Sequence, residues 1–194
     1  MDFISLQLQL LPDSYQQLPC LLASYGAVWP HTLNLGEGDV SDLVDLRIAR
    51  TMTVSTGQKL MTLLVAGSRL RQYVVSGTEL HRTPVAQHAV EIASMLDLAL
   101  PFYRADAQVQ IDRRRRWIRA GERDDYYMVR LQPPTIRTLA RNEDDDSVFI
   151  YVPPRYVKSL EQQAEHAELY KANHHDLIIR PFDLNYWPPN EEHL

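Results

Sequence analysis

Residues 147–179 read SVFIYVPPRYVKSLEQQAEHAELYKANHHDLII. Ser147 to Val152 is a compact apolar run of the length and composition of a well-buried strand. Pro153 and Pro154 end it and turn the chain into a helix from about Arg155 to Ala172. There Val157, Leu160, Ala164, Ala167 and Tyr170 recur on one face, and Asn173 is a reasonable stop. Leu177-Ile178-Ile179 makes a further strand. A strand–helix–strand unit of this kind needs a sheet to pack on, which predicts the α+β class.

Working outward, residues 108–131 (QVQIDRRRRWIRAGERDDYYMVRL) hold the most unusual local chemistry. Val109 and Ile111 alternate into four consecutive arginines, Arg113, Arg114, Arg115 and Arg116, followed by Trp117. Tyr127, Val129 and Leu131 alternate on the far side of Ala120-Gly121-Glu122-Arg123, a turn in which Gly121 takes positive φ at low cost. The expectation is a protruding β-hairpin whose first strand carries the arginines. Alternation would then put Arg113 and Arg115 on one side with Trp117, and Arg114 and Arg116 on the other.

Elsewhere the elements are less distinct. Ile4, Leu6, Leu8 and Leu10 alternate with polar residues as a half-wet strand that Pro12 ends. Pro19, Gly26 and Pro30 leave room for only a short helix between Ser14 and Ala23. Gly36-Glu37-Gly38-Asp39 reads as a flexible acidic turn, since it lacks the lysine and hydroxyl of a phosphate-binding loop. Strand is expected over the second half of Val44 to Val54, where Thr51, Thr53 and Val54 favour it. Lys59 to Val75 places Leu60, Leu63, Leu64, Gly67 and Leu70 on one helical face, and equally offers Leu63-Leu64-Val65 and Tyr73-Val74-Val75 as strands flanking an Ala66-Gly67-Ser68-Arg69 turn. Periodicity does not arbitrate, and a helix is the expectation. The strongest helix pattern follows: Thr83 as cap, Pro84 at the first helical position, and an apolar stripe from Val85 to Ala99 that Pro101 stops or kinks. Asn142 to Asp146 is an acidic loop. The predicted architecture is a single domain over residues 1–181, with a mixed or antiparallel sheet and at least two packed helices. Residues 182–194 form an extended C-terminal arm, in which Phe182, Tyr186 and Trp187 are candidate oligomer contacts.

Composition narrows the function classes. The chain has 194 residues and a formal charge of −5, which argues against a protein coated in basic groups for bulk nucleic-acid binding. A single cysteine, Cys20, excludes an intramolecular disulfide and a thiolate-rich metal site. No stretch reaches the ~18 apolar residues of a membrane span, and Met1-Asp2-Phe3 lacks the basic start of a secretory signal; the expectation is a cytoplasmic protein with no membrane partner. His174, His175 and Asp176, with Glu165 and His166 a turn or two earlier, do not have the one-face spacing of a zinc hydrolase. No nucleophile elbow and no nucleotide or redox motif is present. No catalytic residue, metal ligand or cofactor is therefore assigned.

Arginine suits anions because its guanidinium presents paired donors in a fixed fork, and it also stacks on aromatic rings. The leading expectation is a non-enzymatic binding or assembly subunit whose arginine hairpin contacts an anionic partner, an acidic protein partner or nucleic acid, and whose tail helps to join neighbouring chains as a homo-oligomer. A charged edge strand that only prevents sheet-to-sheet aggregation and has no partner competes with it. The alternative is a nucleic-acid-binding protein in which Arg113 to Arg116 and Arg119 hold phosphates while Trp117, and Tyr126 or Tyr127, stack on bases. A metal-assisted hydrolase built on His174, His175 and Asp176 is the third reading.

Overall fold

The computed structural model describes residues 18–56, 58–74, 80, 83–104, 109–112, 116–120, 125–133, 135, 147–166 and 177–187. Among these are four α-helices and two sheets, of three and five strands, so the protein is α+β. The chain groups into two compact units, residues 1–96 and 97–194.

In the first unit, α1 (Leu18–Tyr25) buries Leu18, Leu22 and Ala23 and ends at Gly26, whose φ of 87° suits the reversal. The two-residue strand β1 (Ala27–Val28) follows. Helix α2 (Glu37–Asp45) starts where a flexible turn was expected. Asp39 explains the difference: its Oδ2 accepts the Gly36 amide at 2.8 Å, tying off a helix N-terminus that the two glycines obscured. Strands β2 (Ala49–Ser55) and β3 (Leu60–Ala66) form an antiparallel hairpin, and the sheet order is β1-β3-β2. The Thr56 hydroxyl closes the hairpin by accepting the amides of Gln58 and Lys59.

The helix expected over Lys59 to Val75 is thus corrected to a strand and a short 3-10 turn (Leu70–Tyr73). Leu63, Leu64 and Val65 are buried in succession, because β3 is the central strand with neighbours on both sides. A run buried on both faces loses the alternation that marks a strand.

Helix α3 (Ala86–Arg104) starts two residues later than Pro84, runs on through Pro101 and spans the division between the units. Within the first unit its buried positions include Glu91 and Ser94 as well as Ala89, Val90, Ile92 and Met95. Ser94 accepts the Trp29 indole N–H at 3.1 Å, and Gln87 donates to Glu91 at 3.3 Å.

The second unit is built on the five-stranded sheet β4 (Val109–Asp112), β5 (Trp117–Ala120), β6 (Asp125–Val129), β7 (Val148–Val152) and β8 (Leu177–Pro181), in sequential order. The β4-β5-β6 pairs are antiparallel and the β6-β7-β8 pairs parallel. Helix α4 (Pro154–His166) connects β7 to β8, as the strand–helix–strand reading required. It packs Leu160, Tyr156, Val157 and Ala164 on Tyr126, Met128, Val148, Ile150 and Val152. On the other face, Tyr127 stacks on Phe149 at 4.7 Å and meets Phe102 of α3 at 5.2 Å.

The expected arginine-bearing strand is corrected. β4 ends at Asp112 and β5 begins at Trp117, with these two residues paired. Arg113, Arg114 and Arg115 lie outside the described residues, as do residues 1–17, the acidic run 142–146, His174, His175 and Asp176. Arg116 precedes β5 with φ 55°.

Candidate anion-binding edge

The strand directions determine which residues share an end of the second sheet. β6, β7 and β8 run the same way, with Val129, Tyr151 and Arg180 in register near their carboxyl ends. β5 is antiparallel to β6 with Ile118 opposite Tyr127, so Trp117 and Arg116 begin β5 at that same end. α4 also begins there, directly after β7. Arg116, Arg130, Arg155 and Arg180, from four separate chain segments, therefore flank one edge of the sheet.

The details of each are specific. Arg130 follows β6; its amide donates to the Tyr151 carbonyl at 2.8 Å. Its Nη1 donates to the Arg116 carbonyl at 2.8 Å and the Val129 carbonyl at 3.0 Å, which ties the start of β5 to the end of β6. Arg155, exposed in the first turn of α4, lies 4.8 Å from the centre of the Tyr156 ring. Arg180 is exposed on β8. The first turn of α4 contains no acidic residue, where acidic side chains ordinarily complement the helix dipole. Among the described residues, Asp112, paired with Trp117, Asp183, just beyond β8, and Asp97, which accepts the Trp187 indole N–H, are acidic residues near this edge; Asp183 Oδ1 accepts both nitrogens of Asn185.

Of the residues singled out from sequence, the structure brings Trp117, Arg119 and Tyr126 together on the face covered by α4. Trp117 meets Tyr126 edge-on at 4.8 Å, and the Arg119 guanidinium lies 5.5 Å from the same ring. Tyr126 is only 6% exposed, so its ring supports its neighbours and presents no face to a base. The buried Nε1 of Trp117 has no acceptor among the described residues. Arg119 thus belongs to the sheet face, three residues along β5 from Arg116, and not to the same cluster.

Phe182 and Trp187 are buried within the second unit, and of the three tail aromatics Tyr186 alone is exposed. Sequence reasoning missed Arg130, Arg155 and Arg180, which are scattered in the chain and come to one end of the sheet only through parallel register and the start of α4 after β7. One local signal was present: an arginine, and no carboxylate, in the first turn after Pro153-Pro154.

This chemistry suits anion binding, since guanidinium groups offer paired donors to carboxylate or phosphate. Burial pushes the Tyr127 hydroxyl up to about 12, helped by Asp125, so it stays protonated at neutral pH. Burial also pushes the Cys20 thiol up, away from the range of a reactive thiolate. Among the described residues, no group of three or more His, Cys, Asp or Glu is placed to hold a metal ion, and no helix is long and apolar enough to cross a membrane. The chain matches no family model, no curated protein and no solved structure.

Proposed function

We propose that this protein is a binding or assembly subunit that engages an anionic partner at the carboxyl edge of β6, β7 and β8. The observation that carries this reading is the gathering of Arg116, Arg130, Arg155 and Arg180 at that edge, beside a helix N-terminus without acidic residues. Charge segregation supports it. Residues 109–120 hold five arginines against one aspartate, +4 in a chain of −5, and of these arginines Arg116 stands at the edge. Such a local cationic zone in an anionic protein steers an acidic partner to one place and repels polyanions elsewhere.

The test uses labelled poly-glutamate and the full-length protein across a salt series, beside Arg155→Glu/Arg180→Glu. Both positions are exposed, so circular dichroism of the variant should match the wild type. Binding at low salt that weakens with added salt, and falls at least ~10-fold in the variant, is the expected result. Absence of binding at low salt, or equal binding by the variant, would falsify the reading.

A further inference from the structure

Tyr186 is 79% exposed, yet the chain on either side of it is fixed. Before it, the Phe182 amide donates to the Val152 carbonyl at 2.6 Å and the Phe182 ring is buried. After it, the Trp187 ring packs on Phe182 at 4.7 Å and on Tyr151 at 6.0 Å, and its indole N–H donates to Asp97 Oδ2 at 2.8 Å. Between these anchors, Asp183 closes a 3-10 turn (Leu184–Tyr186), accepting the Asn185 amide at Oδ1 and the Tyr186 amide at its carbonyl. Tyr151, on which Trp187 packs, is the register partner of Arg180. The turn therefore displays Tyr186 at the cationic edge on a backbone that is already ordered.

An exposed tyrosine on an ordered turn, at the end of the sheet where the arginines stand, has the composition of a binding hot spot, and its backbone ordering cost is met before the partner arrives. Resting on the anionic-partner reading, we infer that the partner is an acidic polypeptide segment containing an apolar residue, and that Tyr186 is the anchor on which that residue packs. A polypeptide fits better than nucleic acid for two reasons. Among the described residues, Tyr126, Tyr151, Phe182 and Trp187 are buried, Trp117 and Tyr156 are half-buried, and Tyr186 is the one exposed Phe, Tyr or Trp, which suits a single packed side chain better than a stack of successive bases. The net charge of −5 also opposes an extended polyanion passing over the rest of the surface.

The experiment measures anisotropy of three labelled probes: an acidic peptide with a central Leu-Phe pair, its twin with Ser-Ser, and a single-stranded DNA of equal formal charge. Each is titrated with full-length wild type, Tyr186→Ser and Arg155→Glu/Arg180→Glu. The Leu-Phe peptide should bind about 10-fold tighter than its twin to the wild type, and the two peptides should bind Tyr186→Ser equally. The arginine variant should weaken both peptides. Equal affinity of the two peptides for wild type, or a ratio that survives Tyr186→Ser, overturns the anchor while the arginine effect still stands. Tighter binding of the DNA than of either peptide overturns the polypeptide class. Loss of the arginine effect, or no binding by any probe, overturns the anionic-edge reading together with the inference built on it.

Discussion

Arg47 takes a backbone conformation that usually belongs to glycine, and Gly67 lies directly against its carbonyl. Arg47 closes α2 in the left-handed region, with φ 58°, while the Ile48 amide returns to the Leu43 carbonyl at 3.1 Å. Glycine is the ordinary occupant of that position. Gly67 stands where any Cβ would run into the Arg47 carbonyl and lie 2.7 Å from the Ile48 carbonyl carbon. Arg47→Gly relieves a left-handed cost of about 1–2 kcal/mol and adds back part of it as unfolded-state entropy, so urea denaturation should show a net gain of about 0.5–1 kcal/mol. Gly67→Ala should lose about 2–3 kcal/mol in the same assay, since the backbone it meets is held by the Gly67 amide on the Ile48 carbonyl. Tyr127 supplies a pH signature. Its folded pKa of about 12 lies above the ordinary 10.0, so its contribution is complete below pH 10 and is lost as pH rises towards 12. Tyr127→Phe should remove that part of the alkaline loss of stability, and one late-titrating step should disappear from the tyrosinate absorbance curve.

Among the elements, the segment after β8 is the least regular. Phe182 to Pro189 has no periodicity and reads as an extended arm that packs on its own domain or on a neighbour; Phe182 and Trp187 are buried within the second unit and anchor a single turn, and Tyr186 is exposed. Trp187→Phe keeps a ring against Tyr151 and Phe182 and removes the N–H that Asp97 accepts. A loss of about 1–3 kcal/mol by denaturation is expected, because the buried carboxylate gives up that donor. The α4 unit was legible over its described residues, where an apolar run, a double proline and a stripe of helical spacing leave few alternatives; Ala167, Tyr170 and the stop at Asn173 lie outside the described residues. Lys59 to Val75 was not legible, because leucines buried on both faces of a central strand fit a helical wheel equally well. Only pairing with β1 and β2 resolves the choice, and pairing is non-local.

For the whole molecule, charge distribution matters more than total charge. Arg116, the end of the arginine run in the sequence, shares the carboxyl end of the sheet with Arg130, Arg155 and Arg180, each of which stands alone in the sequence. If the edge steers an acidic partner, the association rate should fall with ionic strength while dissociation changes little, which stopped-flow measurement on poly-glutamate would read directly.

Composition, local spacing and proline placement determined the α+β class, the β7–α4–β8 unit and the existence of a cationic segment, because each depends on residues close together in the chain. Tertiary structure alone decided that β3 is a strand, that Phe182 and Trp187 face inward, and that four distant arginines meet at one edge. The physical reason is the same in each case. Strand pairing and parallel register join residues far apart in sequence, and local periodicity carries no information about which partners they find.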